Sequence, residues 1–314
     1  MLKRLLLIAC LVLMARAACA QEQRTLRLKF NAGDVYHYAI ELSGTGEMSM
    51  RTPEAMDMDM ESFDVPMDVS MYSEIEVSIV DVAADGTAGM DIFMNRFRMN
   101  TGPGMSFDSS DEEEDLPPFL EVLFDEPVVL KMASDGRVLA ADFPQTDAEM
   151  DETMSMLFPA DLSPADILKQ AMFKLPAEAV APGDKWTQAA TIPVPMSNAE
   201  TIDLSYDFEM KGYETVKGLD CAVIGIRVNE DFSRQLQQMQ LTGFSGPEER
   251  VTMHFDRLSL DFSGTLYFAW NEGIFIGAEG ALEQDVRGTM TSSSEEDVIG
   301  MGMNFIADIK VELK

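Results

Sequence analysis

The sequence predicts a mainly β protein, built as one strongly curved antiparallel sheet or half-open barrel of about eleven strands with a short helical insert. Apolar and polar residues alternate along most of the chain, and glycine-containing turn signals separate the alternating runs. Helical periodicity occurs only in the middle. A strand with one apolar and one charged face is typical of an antiparallel sheet with one wet side. Two separate β domains joined by the helical segment remain the alternative.

The alternating runs lie on both sides of the middle of the chain. Their apolar members are Leu26, Leu28 and Phe30; Ile75, Val77 and Ile79; Leu204, Tyr206, Phe208 and Met210; Leu258, Leu260 and Phe262; Leu266, Phe268 and Trp270; and Phe305, Ala307, Ile309, Val311 and Leu313. The turn signals are Asp85-Gly86, Asp135-Gly136, Lys217-Gly218 and Asn271-Glu272-Gly273. Turns of this kind end one strand and begin the next.

Two amphipathic helices are predicted between the strand-rich halves. Thr146 and Glu149 have the spacing of a capping box, and Ser163-Pro164 is a second helix start. Apolar residues follow at one-face spacing, namely Met150, Met154, Leu157 and Phe158, then Ile167, Leu168, Ala171 and Met172. We expect helices over 146–175 to pack on the concave side of the sheet. The predicted divisions are a signal peptide (1–20), an N-terminal β half (21–145), a helical insert (146–180) and a C-terminal β half (181–314).

A weak internal repeat supports this division. The segment Asn31–Tyr36 resembles Ala181–Trp186, because each has a Gly-Asp turn followed by an aromatic residue two positions later. A strand containing Tyr72 or Tyr206 and a glycine turn at Gly86 or Gly218 follow in order. The sequence therefore predicts that the two halves share one local design.

The first twenty residues have the features of an export signal. Lys3 and Arg4 precede the apolar run Leu5–Ala15, and Ala18–Ala20 supplies the small residues that a signal peptidase recognises. We expect cleavage after Ala20. In the competing interpretation, Leu7–Cys10 is a lipobox and the chain becomes lipid-anchored. Both interpretations predict an exported protein, periplasmic or extracellular.

Charge and cysteine content narrow the classes of partner. The formal net charge is −32, and loss of Lys3, Arg4 and Arg16 with the signal would make it −35. Such a chain is repelled by nucleic acid and by bare anionic lipid surfaces. No apolar stretch after residue 20 is long enough for a transmembrane helix. Cys221 would be the single cysteine of the processed chain, and its apolar neighbours predict a small buried side chain.

Methionine and acidic tracts are the candidate metal sites. Seven of the 25 methionines lie between Met48 and Met71, and Met56, Met58 and Met60 alternate with aspartate. Thioethers suit Cu(I), so these three are the candidate ligands, although methionine also serves as an adaptable apolar residue. The tracts 108–115 and 292–297 lack the EF-hand pattern and indicate solvated loops.

No catalytic motif is present. The two histidines, His37 and His254, lie on predicted strands, and there is no nucleophile elbow, phosphate loop or zinc-binding helix. We therefore expect a non-enzyme without a cofactor.

The order of landmarks resembles an uncharacterised family of secreted bacterial envelope proteins, many of them lipoproteins. The resemblance includes the opening Gly-Asp-x-Tyr turn, the Asp-Gly turn within Leu130–Val138, and the segment from Leu175-Pro176 to Pro182-Gly183-Asp184-Lys185-Trp186. It implies architecture and compartment, because that family has no established activity. The architecture is also similar to that of periplasmic lipoprotein carriers, which hold acyl chains between a sheet and helices.

Two functional hypotheses follow. The first is non-catalytic binding of an apolar, acyl-chain-like ligand, a hydrophobic small molecule or lipid, on an inner face rich in Met, Phe and Leu. The second is a structural or protein-interaction module that docks on another envelope protein through charged outer faces. Cu(I) binding by the methionine tract is a third.

Overall fold

The computed structural model describes residues 23–51, 63–101, 106–111, 118–144, 165, 168–169, 172–193, 201–236, 238–242, 250–292 and 298–314. Strands dominate these residues, which confirms the mainly β prediction. The strands are β1 (Val35–Arg51), β2 (Phe63–Val82), β3 (Ala88–Asn100), β4 (Ser106–Asp108), β5 (Val128–Met132), β6 (Val138–Asp142), β7 (Lys185–Pro193), β8 (Thr201–Val216), β9 (Leu219–Asp231), β10 (Gln238–Thr242), β11 (Arg250–Ala269), β12 (Ile274–Ser292) and β13 (Val298–Leu313).

The strands form one antiparallel sheet. Eleven of them follow the order β6-β5-β3-β2-β1-β13-β12-β11-β9-β8-β7, while β4 pairs with β3 and β10 with β11. The two halves of the chain meet where β1 pairs with β13, from Tyr38 opposite Leu313 to Arg51 opposite Gly300. The prediction of one continuous sheet is therefore confirmed, and the two-domain alternative is wrong.

The sheet curves so that strands near its opposite ends share one hydrophobic core. Met90 and Leu130 come from β3 and β5, whereas Met210 and Ile224 come from β8 and β9, and all four are buried in the same cluster. In the described part of the chain the sheet does not close, because β6 and β7 are its end strands. We call the face that carries this core the inner face.

The two Gly-Asp turns make the same backbone hydrogen bonds. The Gly33 N–H donates to the Ile79 carbonyl, and the Ile79 N–H donates to the Asp34 carbonyl. Gly183, Met210 and Asp184 repeat this arrangement in the C-terminal half. Gly33 and Gly183 have φ values of +92° and +96°, a conformation that favours glycine. The predicted repeat is thus a structural repeat of turn, hairpin and bulge.

The strand register shows which residues of the two halves occupy equivalent positions. Tyr36 pairs with Val77 in the first half, and Trp186 pairs with Phe208 in the second. Ile79 and Met210 are equivalent positions, because each makes the same hydrogen bonds to a Gly-Asp turn. Ile75 and Tyr206 lie four residues before them and are therefore counterparts. The predicted match of Tyr72 with Tyr206 is wrong by three residues. A register shift follows Ile79 on β2 and Met210 on β8, which supports the corrected alignment.

One helix was missed by the sequence prediction. Helix α1 spans Pro118–Asp125, directly after the acidic tract that we interpreted as a loop. Pro118 provides a proline at the first helical position, and a helix of only two turns has little periodicity to detect. No helix among the described residues is long and apolar enough to cross a membrane.

The predicted helical insert is described only in part. Residues 165, 168 and 169 are helical, and the Met172 N–H donates to the Leu168 carbonyl at 3.1 Å. Residues 173–175 are not helical, so the helices predicted over 146–175 extend too far, and Val180 forms a β-bridge with Arg24. Proline at 176 accounts for the early end, because the residue before a proline disfavours helix. The start predicted at Thr146 lies outside the described residues.

Candidate functional site

An apolar cavity of about 380 Å³ lies on the inner face, against the β1–β2 hairpin of the N-terminal half. Its walls come from the first half of the sheet and from β11–β13, so it sits where the two halves meet. Among the residues that the structure describes, no charged side chain lines it. The lining side chains are Leu28, Phe30, Tyr36, Tyr38, Ile75, Val77, Ile79, Met90, Ile92, Leu130, Met132, Leu168, Met172, Phe173, Leu266, Ile274, Phe275, Ala278 and Val311.

The segment before β1 forms one wall of the cavity. The Leu28 N–H donates to the Ser134 carbonyl at 2.7 Å, and the Lys29 N–H donates to the Gly273 carbonyl at 3.0 Å. These bonds tie the segment to the β5–β6 and β11–β12 turns. A Cβ at Gly273 would lie 2.5 Å from the Lys29 nitrogen, so only glycine allows this close approach. Leu28 and Phe30 therefore face the cavity from a firmly attached segment.

The end of the helical insert covers another side of the cavity. Leu168, Met172 and Phe173 pack on the core cluster and line the cavity. The Gln188 side chain holds this cover in place, because its Nε2 donates to the Met172 carbonyl at 3.0 Å and its Oε1 accepts from the Lys174 N–H at 2.7 Å. For these described residues, the sequence prediction of an insert packed against the sheet is confirmed.

Two tyrosines supply the polar groups of the lining. The Tyr38 hydroxyl donates to the Phe275 carbonyl at 3.0 Å, and the Tyr36 hydroxyl donates to Asp34 at 3.1 Å. Burial raises the pKa of Tyr38 to about 12, with a smaller contribution from Tyr36. Burial and the Asp34 hydrogen bond raise the pKa of Tyr36 to about 12. Both phenols are neutral at physiological pH, so the lining presents no charge to a ligand.

The corresponding region of the C-terminal half is filled by aromatic rings. Trp186, Tyr206 and Phe208 occupy the positions of Tyr36, Ile75 and Val77. The Trp186 and Phe208 rings stack with centroids 5.3 Å apart and planes 6° from parallel, and the Tyr206 and Phe208 centroids are 6.5 Å apart. The three counterpart positions of the N-terminal hairpin thus carry smaller side chains, a difference that sequence reasoning about single residues did not detect.

A larger polar hollow of about 860 Å³ lies at the other end of β1, β12 and β13. Its principal charged group is Asp285, which is buried between two arginines. Arg257 Nε lies 3.1 Å from one carboxylate oxygen, and Arg287 Nε lies 3.0 Å from the other. Because two guanidinium groups already bind the Asp285 carboxylate, that carboxylate is not free to bind a ligand cation.

The sequence-predicted site residues do not converge on the cavity. Met56, Met58 and Met60 lie outside the described residues, so the Cu(I) hypothesis stays a prediction. His37 lies on β1 with its Nδ1 3.7 Å from Glu76, and His254 lies on β11. Cys221 is completely buried, as its apolar neighbours predict, and burial raises the pKa of its thiol.

The described part of the 108–115 tract is structured. Asp108 lies in β4 and accepts hydrogen bonds from Ser110 and from Arg96, which lowers the pKa of its carboxyl to about 2. These residues are therefore not the freely solvated loop that the sequence predicted.

No protein-family model matches the chain, and no curated protein sequence does. Among solved structures, the chain is similar to lipovitellin, from a study of its lipid–protein interactions. That similarity has 11% identity and a TM-score of 0.44, over 91% of this chain and 25% of lipovitellin, so the chain spans about a quarter of it. Pseudomonas aeruginosa OpdQ matches with 8% identity and a TM-score of 0.22 over 89% of this chain and 98% of its own. Acinetobacter baumannii OccAB4 matches with 10% identity and a TM-score of 0.20 over 89% and 99%. We infer no function from matches this loose.

Proposed function

We propose that this chain is a non-catalytic, exported envelope protein that holds an apolar, acyl-chain-like ligand in the cavity. One observation carries the proposal: the repeated backbone leaves about 380 Å³ open in one half and fills the same place with stacked aromatic rings in the other. That volume lies within the range of small-ligand pockets, roughly 300–1,000 Å³. An open apolar site is a cost in stability unless a ligand fills it, because its lining loses dispersion contacts.

The chemistry of the lining indicates hydrocarbon as the ligand. The side chains are aliphatic, aromatic or thioether groups, and the two phenol hydroxyls are already bonded to Asp34 and Phe275. A charged ligand group inside would lack a counter-ion and would be expensive to desolvate. Any polar headgroup therefore stays outside, and the cavity receives a tail. Met90, Met132 and Met172 allow the wall to adapt to tails of different shape.

Binding of a fluorescent long-chain fatty acid to delipidated protein tests this proposal. We expect saturable binding at one site, and native mass spectrometry should show one chain per protein. The informative variant is Val77→Phe, which installs the residue that the C-terminal half carries at the same position. It should weaken binding by roughly tenfold or more, which corresponds to about 1.4 kcal/mol.

Glu76→Phe is the matched control. It places the same ring on the neighbouring residue, which lies on the opposite face of β2. Binding by this variant should match the unaltered protein. The proposal is contradicted if the unaltered protein binds no fatty acid, or if Val77→Phe and Glu76→Phe bind it equally well.

A further inference from the structure

The apolar inner face continues well beyond the cavity. On β1 the inner positions run from Tyr38 to Met50, and on β13 the facing positions run from Leu313 to Met301. Between those limits on β1, β2, β12 and β13, the inner positions carry no charged side chain, and the polar ones are Ser73 and Gln284. Glutamate, aspartate, arginine and lysine lie on the opposite face of the same strands. The face is therefore a continuous hydrocarbon-compatible surface that begins at the cavity.

The length of this surface exceeds that of one acyl chain. Twelve residue steps separate Tyr38 from Met50, which is about 40 Å at the rise of a β-strand. The hydrocarbon core of a bilayer is about 30 Å thick and contains two layers of acyl chains, so one chain layer takes about 15 Å. A single chain seated in the cavity would thus leave most of the inner face uncovered.

The far end of the surface is rich in methionine. Met48 lies opposite Met303, and Met50 lies opposite Met301, all on the inner face of adjacent strands. We call these four residues the methionine end. Directly opposite residues of neighbouring strands have Cβ atoms about 4.5–5.5 Å apart, so the four thioethers form one patch. Such a patch adapts to variable hydrocarbon better than a patch of branched side chains.

The methionine end is also accessible. Met48 is 38% exposed, and its neighbours Phe63 and Val65 on β2 are each 37% exposed. Buried core residues such as Ile79 and Met90 are 3% exposed on the same face nearer the cavity. The inner face therefore changes from a covered cavity to an open apolar surface along a single set of strands.

We propose that the ligand is a lipid with two acyl chains, one in the cavity and the other along the inner face towards the methionine end. This inference rests on the proposed function, because it takes the cavity as the seat of the first chain. The inner positions between the cavity and the methionine end on β1, β2, β12 and β13 carry no charged group to bind a headgroup, so recognition there is of hydrocarbon. Because the chain carries a formal charge of −32, a zwitterionic lipid is favoured over an anionic one.

A photoreactive lipid tests the arrangement. The probe is a zwitterionic diacyl glycerophospholipid with a diazirine at the end of each acyl chain, presented in vesicles to the full-length protein. After irradiation and digestion, we expect label on peptides that contain cavity residues such as Met90 and on peptides that contain Met48 or Met303. Some lipid molecules should link one peptide of each kind.

The outcomes separate the two proposals. Label confined to the cavity would overturn the two-chain inference and leave the proposed function standing. A lack of label at the cavity, with a fatty-acid probe also failing to bind, would overturn both. A fatty acid with one diazirine, added at less than one equivalent per protein, should label only the cavity.

Charged substitutions give an independent readout. Met48→Glu with Met303→Glu should weaken binding of the two-chain lipid by about tenfold and that of the fatty acid much less, because a carboxylate in contact with hydrocarbon must be desolvated. Ile306→Glu is the control, since Ile306 lies on the outer face of β13 and is 54% exposed. The inference would be contradicted if the methionine variants weakened binding of both ligands equally. It would also be contradicted if Ile306→Glu weakened binding of the two-chain lipid as much as they do.

Discussion

The two halves of this molecule share one backbone design but differ in how side chains fill the interior. Each begins with a Gly-Asp turn, continues into a hairpin and has a bulge one residue after the turn contact. In the C-terminal half, Trp186 and Phe208 stack across the hairpin and fill the interior. In the N-terminal half, Tyr36 and Val77 face each other in the same register and line an open cavity.

The difference shows that the backbone of a β repeat does not decide whether its interior is a core or a pocket. The hydrogen-bonded frame is set by glycine turns and by register, which the halves share. Whether the space inside is filled or open depends on side-chain volume at a few inner positions. Changing those positions should therefore alter packing or binding without altering the frame.

Truncation of the filled half should have the largest effect on stability. Phe208 is 2% exposed and contacts Trp186, Tyr206 and Phe173. Phe208→Ala should lower the free energy of unfolding by about 3–5 kcal/mol, because it leaves a new cavity in a packed region. The counterpart Val77→Ala should cost only about 1–2 kcal/mol, since Val77 already borders open space. Urea denaturation measures both, and equal losses would contradict the comparison.

The shared turns should respond alike in the two halves. Gly33→Ala and Gly183→Ala both force a side chain into positive φ, so each should cost about 1–2 kcal/mol. No atom lies within 4 Å of a Cβ at either position, so steric clash does not add to the strain. Denaturation midpoints of the two variants are the measurement. A difference of more than about 1 kcal/mol would show that the turns are not equivalent.

The smallest effects concern two counterpart side chains that donate hydrogen bonds to backbone carbonyls near the cavity. Tyr38 binds the Phe275 carbonyl, and its counterpart Gln188 binds the Met172 carbonyl. Tyr38→Phe removes one partly buried hydrogen bond and should cost about 0.5–1.5 kcal/mol near neutral pH.

The pH dependence of this variant has a defined sign. The folded-state pKa of Tyr38 is raised from 10 to about 12, so the folded protein keeps a proton that the unfolded chain releases. The stability that this provides is complete below pH 10 and is lost as the pH rises towards 12. Urea denaturation at pH 9 and pH 11 should therefore show a smaller alkaline loss for Tyr38→Phe than for the unaltered protein. An identical loss would contradict the assignment.

Sequence patterns predicted the frame well because strand alternation and glycine turns act locally. The alternation of Leu204, Tyr206 and Phe208 and the turns at Gly86 and Gly218 required no knowledge of distant contacts. The match of Tyr72 with Tyr206 failed because register depends on where Ile79 and Met210 contact the turns, which is a tertiary property. Helix α1 was missed because its short apolar run follows an acidic tract.

For the candidate site, the sequence predicted the types of residue in the lining but not the cavity itself. An inner face rich in Met, Phe and Leu was evident, but a packed core has the same pattern. The cavity depends on the approach of Leu28, Phe275 and Met172 from three distant parts of the chain. No sequence period encodes that meeting, and only the comparison of Val77 with Phe208 after alignment reveals the missing volume.

Xenon binding to the delipidated protein tests most directly whether one half is open and the other filled. Apolar cavities in proteins take up xenon. The account predicts xenon in a pressurised crystal in the cavity, beside Met90 and Phe275, and none between Trp186 and Phe208. Val77→Phe should remove or weaken the xenon site, whereas Glu76→Phe should retain it. Absence of xenon from the N-terminal half, or equal occupancy in both halves, would contradict the central claim.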